Sequence, residues 1–187
     1  MFAEEYHRDV LRQLRKYKEL GEAAMAQVSD EQFFAAPDVE SNSIGLIVKH
    51  MAGNMRSRWR EFLTSDGEKP DRDRDREFVQ ADTENRVNLL QQWQEGWSCT
   101  FSALEGLQPA DFTRMVTIRG EPHTVLQAIN RQLTHYAYHV GQIVYLAKHY
   151  AGADWQSLSI PRGRSHDFEV SKEGQPYRPP GETGPTY

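Results

Sequence analysis

"LTHYAYHVGQIVYLAKHY", from Leu133 to Tyr150, decides how the rest of the chain is read. Leu133, Tyr136, Val140 and Val144 recur at three- and four-residue steps, the period of a helix with one apolar face. Followed backwards, the stripe takes in Ile129 and Leu126 and reaches Pro122, a residue favoured in a first helical turn. Followed forwards, it meets Gly152, a plausible helix stop. Inside this helix His135 and His139 stand four residues apart, so their imidazoles lie one above the other on one face. Such a pair can chelate one divalent ion, or it can be part of a polar edge. Tyr136, Ala137 and Tyr138 separate the two, so the Glu of H-E-x-x-H is missing and a zinc peptidase of that class has no general base.

Working outward from this helix, Pro37, Pro70, Pro109 and Pro122 each fall between long segments of helical period. The first segment runs from about Phe2 to Val28, with Phe2, Tyr6, Val10, Leu14, Tyr17 and Ala24 as its stripe. The second opens at "SNSIGLIVKHMAGNMRSRWREFL", where Ser41, Asn42 or Ser43 can cap the free N–H groups. Its stripe is Ile44, Ile47, Met51, Met55, Arg58/Trp59 and Phe62. The third spans about Asp82 to Leu107 through Val87, Leu90, Trp97, Phe101 and Leu104, and the fourth spans Pro122 to about Tyr150. Between them, "DFTRMVTIRGEPH" alternates and contains Gly120, which suggests a short hairpin or an extended crossover. The fold expected is all-α: a four-helix bundle with one long crossover between helices three and four.

The composition narrows the function. A chain of 187 residues with Lys+Arg 22 and Asp+Glu 27 carries −5 and no dominant basic stripe, which argues against nucleic-acid binding. The opening "MFAEEYHRDVLRQL" has no apolar run, so no signal peptide is expected, and no segment approaches the roughly 20 apolar residues of a membrane span. A single cysteine, Cys99, excludes an intrachain disulfide and fits a reducing compartment. A cytoplasmic domain over residues 1–155 is expected, followed by an extended Pro/Gly-rich tail over 156–187. That tail is expected to be anchored through Phe168, Tyr177 or Tyr187.

Three motifs invite chemistry. "DRDRDR" (Asp71 to Arg76) has the aspartate spacing of a calcium loop, but Arg76 and Asp82 stand where the glycine and the bidentate Glu are required. It reads as a solvated interhelical loop. Cys99 lies between Trp97 and Phe101 on an apolar helix without an activating neighbour, and reads as an inert thiol at the core edge. His50 is more informative, because it borders the stripe of helix two as His135 and His139 border that of helix four. If these helices pack together, three imidazoles meet, and facing helices are how bundles build metal sites. Three neutral nitrogens leave a coordination position for water or substrate, the pattern of catalytic rather than structural sites. Asn54, one turn after His50, and Arg119 in the crossover are secondary candidates, for a ligand contact and for an anionic substrate respectively.

A histidine in "IGLIVKHMAGN" followed by "LTHYAYHVGQIVYL" late in the fourth helix resembles the DinB/YfiT-like superfamily over roughly residues 1 to 155. "WQSLSIPRGRSHDF" (Trp155 to Phe168) resembles an uncharacterised bacterial subgroup of it. The resemblance implies a four-helix bundle, commonly a homodimer, with a divalent metal on His50, His135 and His139. Zinc, nickel or iron would suit such a site. Characterised members include thiol-cofactor-dependent S-transferases and a mycothiol-dependent maleylpyruvate isomerase. The expectation is therefore a metal-dependent enzyme that transfers a low-molecular-weight thiol to a small electrophilic substrate. A metal-dependent hydrolase on the same site, and a non-catalytic dimeric metal-binding or scaffold protein, are the alternatives. Trp59, Trp93, Trp97 and Trp155 exceed what a small bundle needs to bury, which suggests that some of them serve an interface.

Overall fold

The computed structural model describes residues 2–81 and 83–164. Phe168, Tyr177 and Tyr187, the expected tail anchors, and His166 lie outside the described residues. The described part is mostly helical. Its α-helices are α1 (Phe2–Met25), α2 (Asp30–Phe34), α3 (Ile44–Trp59), α4 (Arg86–Glu105) and α5 (Val125–Ala151). The strands β1 (Met115–Ile118) and β2 (Glu121–Thr124) form an antiparallel pair between α4 and α5, with Met115 opposite Thr124 and Ile118 opposite Glu121.

Helices α2 to α5 each start where a side chain takes up a free N–H group. Ser43, one of the expected caps, accepts from Leu46 N, and Asn85 accepts from Asn88 N. Thr124 and Gln127 form a reciprocal capping box at α5, so that helix begins after Pro122 rather than at it. Pro122 instead lies in β2 opposite Thr117. Gly152 ends α5 with a positive φ of 56°, as the sequence suggested. The short α2, with its own capping box of Ser29 and Gln32, had no periodic signal to announce it.

Helix α3 packs against both α4 and α5, and α1 packs against both α5 and α4. The interior between them holds Leu14, Met25, Ile44, Met51, Met55, Trp59, Trp93, Trp97 and Tyr136, all essentially inaccessible to solvent. A Cβ on Gly96 of α4 would stand 3.3 Å from the Ala52 backbone of α3, so a bare glycine lets these two helices approach. The inward face of α4 runs through Leu89, Trp93, Trp97 and Leu104, whereas Val87, expected on it, is 75% exposed. Three of the four tryptophans are core residues, which removes the compositional support they lent to an interface.

The loop from α3 to α4 and the hairpin are tied together. Arg119 and Gly120 form a two-residue turn with φ of 56° and 76°, the left-handed pair that tight hairpins require. For Arg119 this backbone carries steric strain. The Asp66 carboxylate offsets it by accepting from both Arg119 N and Gly120 N at 2.8 Å, and Gly67 N donates to Thr117 O. After α5, the Gln27 side-chain amide donates to Gln156 O and accepts from Gln156 N, which holds the start of the C-terminal segment against the turn that follows α1.

Candidate metal centre

His50 lies on the side of α3 that faces α5, and is 4% exposed. Residues four apart on α5 present His135 and His139 to it, each half-buried. His50 Nε2 lies 3.4 Å from His135 Nε2, which lies 3.1 Å from His139 Nε2. One nitrogen from each ring falls within 4.8 Å of the other two, so the three histidines could hold a metal ion.

The outer nitrogens decide which way the lone pairs point. His50 Nδ1 donates to Glu77 Oε2 at 2.8 Å, which leaves Nε2 of that ring without a proton in the neutral form. His139 Nδ1 donates to Gln142 Oε1 at 2.7 Å, with the same result. Two bare Nε2 atoms therefore face one point, with His135 Nε2 beside them. This donor set fits a borderline transition ion such as zinc, whose histidine ligands commonly give their second N–H to an acceptor of this kind.

Electrostatics favours the neutral form of His135 and His139. Burial is the first cause that pushes the His135 pKa down to about 3, and the neighbouring His139 and His50 add to it. Burial also lowers His139, against the opposing effect of its bond to Gln142. Burial on its own would raise the Glu77 carboxyl, but hydrogen bonds from Arg72 and His50 outweigh it and hold the group below its usual range. Arg72 grips both oxygens of Glu77 at 2.8 Å.

The secondary candidates fare differently. Asn54 is structural: its Oδ1 accepts from Tyr136 Oη at 3.2 Å, and Tyr136 Oη accepts from Trp59 Nε1 at 2.9 Å. Arg119 sits at the hairpin tip with Nε 3.3 Å from Glu68 Oε2. Cys99 is half-buried, and burial raises its thiol pKa, as an inert residue requires. His7 bonds Leu104 O, His123 lies beside Glu121 and Arg131, and His149 is exposed near the end of α5. Glu77, Arg72 and Phe78, whose ring stacks on His50 at 4.8 Å, carry no periodic signal, because Glu77 and Phe78 lie in a single 3-10 turn (Asp75–Phe78) and Arg72 in the loop before it. Gln142 was within reach: it stands three residues after His139 in the stretch first quoted. "DRDRDR" is an interhelical loop, but it is not wholly solvated, for the Arg72 side chain is 4% exposed.

Fold and site together define a helical protein with a three-histidine cluster able to hold a metal ion. The chain belongs to the family described as "Protein of unknown function (DUF1572)", whose model matches residues 1–164. No curated protein matches it.

Proposed function

We propose that this is a DinB-like four-helix bundle in which His50, His135 and His139 bind one divalent metal ion, and that it is a metal-dependent enzyme acting on a small molecule. The observation that carries the proposal is the convergence of three imidazole nitrogens within 4.8 Å, two of them turned inward by bonds on the far side of their rings. Three protein nitrogens leave a tetrahedral or larger coordination shell open. His135 and His139 are half-buried rather than sealed in the core, which leaves the cluster partly accessible to solvent.

Bound there, the ion would lower the pKa of a thiol or a water and hold the resulting nucleophile. Transfer of a low-molecular-weight thiol is the preferred reaction, on the strength of the superfamily resemblance. The chain's own part is to orient three ligands and, by burial, to favour the neutral form of His135 and His139. Tyr138, 63% exposed and packed against His139, and Phe78 over His50 wall the approach. The same resemblance supports a homodimer.

The test is metal analysis of the purified full chain, followed by zinc titration and a screen of thiols against electrophiles. About one equivalent of bound metal, together with metal-dependent consumption of a thiol, supports the proposal. Absence of metal binding at micromolar zinc contradicts it. Stoichiometric metal with no turnover of thiols, but with hydrolysis, would replace the reaction and keep the site.

A further inference from the structure

Three histidines of one cluster are backed in three different ways, and the difference is built into the fold. His139 leans on a neutral amide, Gln142, and among the described residues no protein group bonds His135 Nδ1. His50 alone leans on a buried carboxylate, and that carboxylate reaches it from a loop 27 residues further along the chain.

Glu77 has little freedom to be anywhere else. Arg72 fixes both of its oxygens, and Glu68 in turn contacts Arg72 Nη1 at 3.3 and 3.2 Å. Glu68 also receives Arg119 from the hairpin turn and lies 3.8 Å from the buried Arg58. On the other side the acid rests directly on the backbone of α3. A Cβ built on Gly53 would stand 2.2 Å from Glu77 Oε1 and 2.8 Å from Cδ. Any residue larger than glycine at position 53, one turn after His50, would therefore drive the acid from its seat.

We propose that Glu77 is the positioning residue of the metal centre, acting through His50, and that Gly53 and Arg72 exist to seat it. The inference rests on the three-histidine reading above. A carboxylate on Nδ1–H fixes the tautomer, holds the ring plane and makes Nε2 a stronger donor toward a cation. With Arg72 across both oxygens, Glu77 stays an outer partner and does not rotate toward the ion as a further ligand. His50 is thereby the anchoring ligand, and His135, with no such partner, is the most weakly oriented of the three.

The experiment is zinc titration of the chelator-stripped full chain against a competing indicator, for the wild type, Glu77→Gln, Glu77→Ala, Gly53→Ala, the Gly53→Ala/Glu77→Ala pair and His50→Ala. Nitrogen-15 NMR of the imidazoles reports the His50 tautomer in the same samples, and thermal melts confirm that each is folded. Glu77→Ala should weaken zinc binding about ten- to hundred-fold, the range for loss of an outer-shell partner. Glu77→Gln should weaken it less. Gly53→Ala should shift the affinity in the same direction without touching a ligand, and the double variant should be no worse than Glu77→Ala, since both act through one contact. His50 should lose its fixed Nδ1–H form in Glu77→Ala. Wild-type zinc affinity and an unchanged tautomer in Glu77→Ala, beside loss of zinc in His50→Ala, would overturn the role of Glu77 while leaving the three-histidine site intact. Wild-type affinity in His50→Ala would overturn both. Additive losses in the double variant would remove Gly53 from the account. A Glu77→Ala chain that does not fold leaves Glu77→Gln and Gly53→Ala to decide by the same measures.

Discussion

One helical turn separates two polar clusters on the same pair of helices. Asn54 of α3, with Tyr136 of α5 and Trp59, forms a buried chain in which each hydrogen bond is made: indole N–H to phenol oxygen, phenol O–H to amide oxygen. His50 of α3, with His135 and His139 of α5, forms a cluster whose outer nitrogens are largely satisfied and whose inner ones converge on each other. The first cluster is complete without any ligand and serves the fold. The second brings one nitrogen from each of three rings to a common point, an arrangement that could hold a metal ion. What separates the two clusters is the state of the lone pairs, since both bridge the same two helices.

The comparison predicts opposite phenotypes for neighbouring substitutions. His135→Ala should weaken zinc binding by more than the roughly ten- to hundred-fold expected for loss of an outer-shell partner, and leave the metal-free melting temperature close to that of the wild type. Isothermal titration and a thermal melt, run on the same preparation, read both. Zinc affinity within a few-fold of wild type would collapse the distinction between the two clusters. Tyr136→Phe should do the reverse. It strands the Trp59 N–H and the Asn54 oxygen in the core, at a cost of about 2 kcal/mol or more. A melting temperature lowered by roughly 4–8 °C, with zinc affinity intact, is expected for a chain of this size. A stable Tyr136→Phe variant that no longer binds zinc would show the two clusters to be one.

Acidity sharpens the contrast. His135 has its pKa pushed down to about 3 in the folded chain, against 6.5 for the free side chain. The unfolded chain therefore binds more protons than the folded one between these values, and stability falls as the pH drops through that window. Above about pH 6.5 the contribution is fully present. The melting temperature of metal-free protein should decrease from pH 7 to pH 5, and the decrease should be smaller in His135→Ala. Equal slopes in the two would show that His135 is not the group responsible.

The smallest expected effect lies farthest from the cluster. Asp66→Asn weakens the carboxylate that accepts from Arg119 N and Gly120 N, and should cost about 1 kcal/mol. Zinc affinity should not change, which titration beside a melt can check. A large loss of zinc would mean that the hairpin turn, through Glu68 and Arg72, holds the histidines more tightly than these bonds suggest.

The histidines themselves were legible because helical period is legible. Spacing placed His135 and His139 on one face, and the border position of His50 relative to Ile47 and Met51 placed it toward the same partner helix. The hairpin showed in the alternation around Met115 to Ile118, and Gly152 showed as a stop. Other features were lost for physical reasons. Pro122 is equally at home in a first helical turn and on a strand edge, and only the capping box of Thr124 with Gln127 decides between them. Val87 lies one position off the inward face that Leu89, Trp93 and Trp97 define, and an apolar residue carries no mark of which side it takes. Glu77 lies in a single 3-10 turn and Arg72 in the loop before it, elements too short for a period to point to either residue. The charge run around Arg72 suggested solvent, yet an arginine can bury its long stem and guanidinium where two carboxylates wait.

The central claim is that three imidazoles hold one ion and leave it open. X-ray absorption of the zinc-loaded full chain reads this directly. Three imidazole nitrogens at about 2.0–2.1 Å, with at least one further light-atom ligand that exchanges when a thiol is added, is the predicted result. A shell with fewer than three imidazoles, or one closed by protein ligands and indifferent to added thiol, would contradict it.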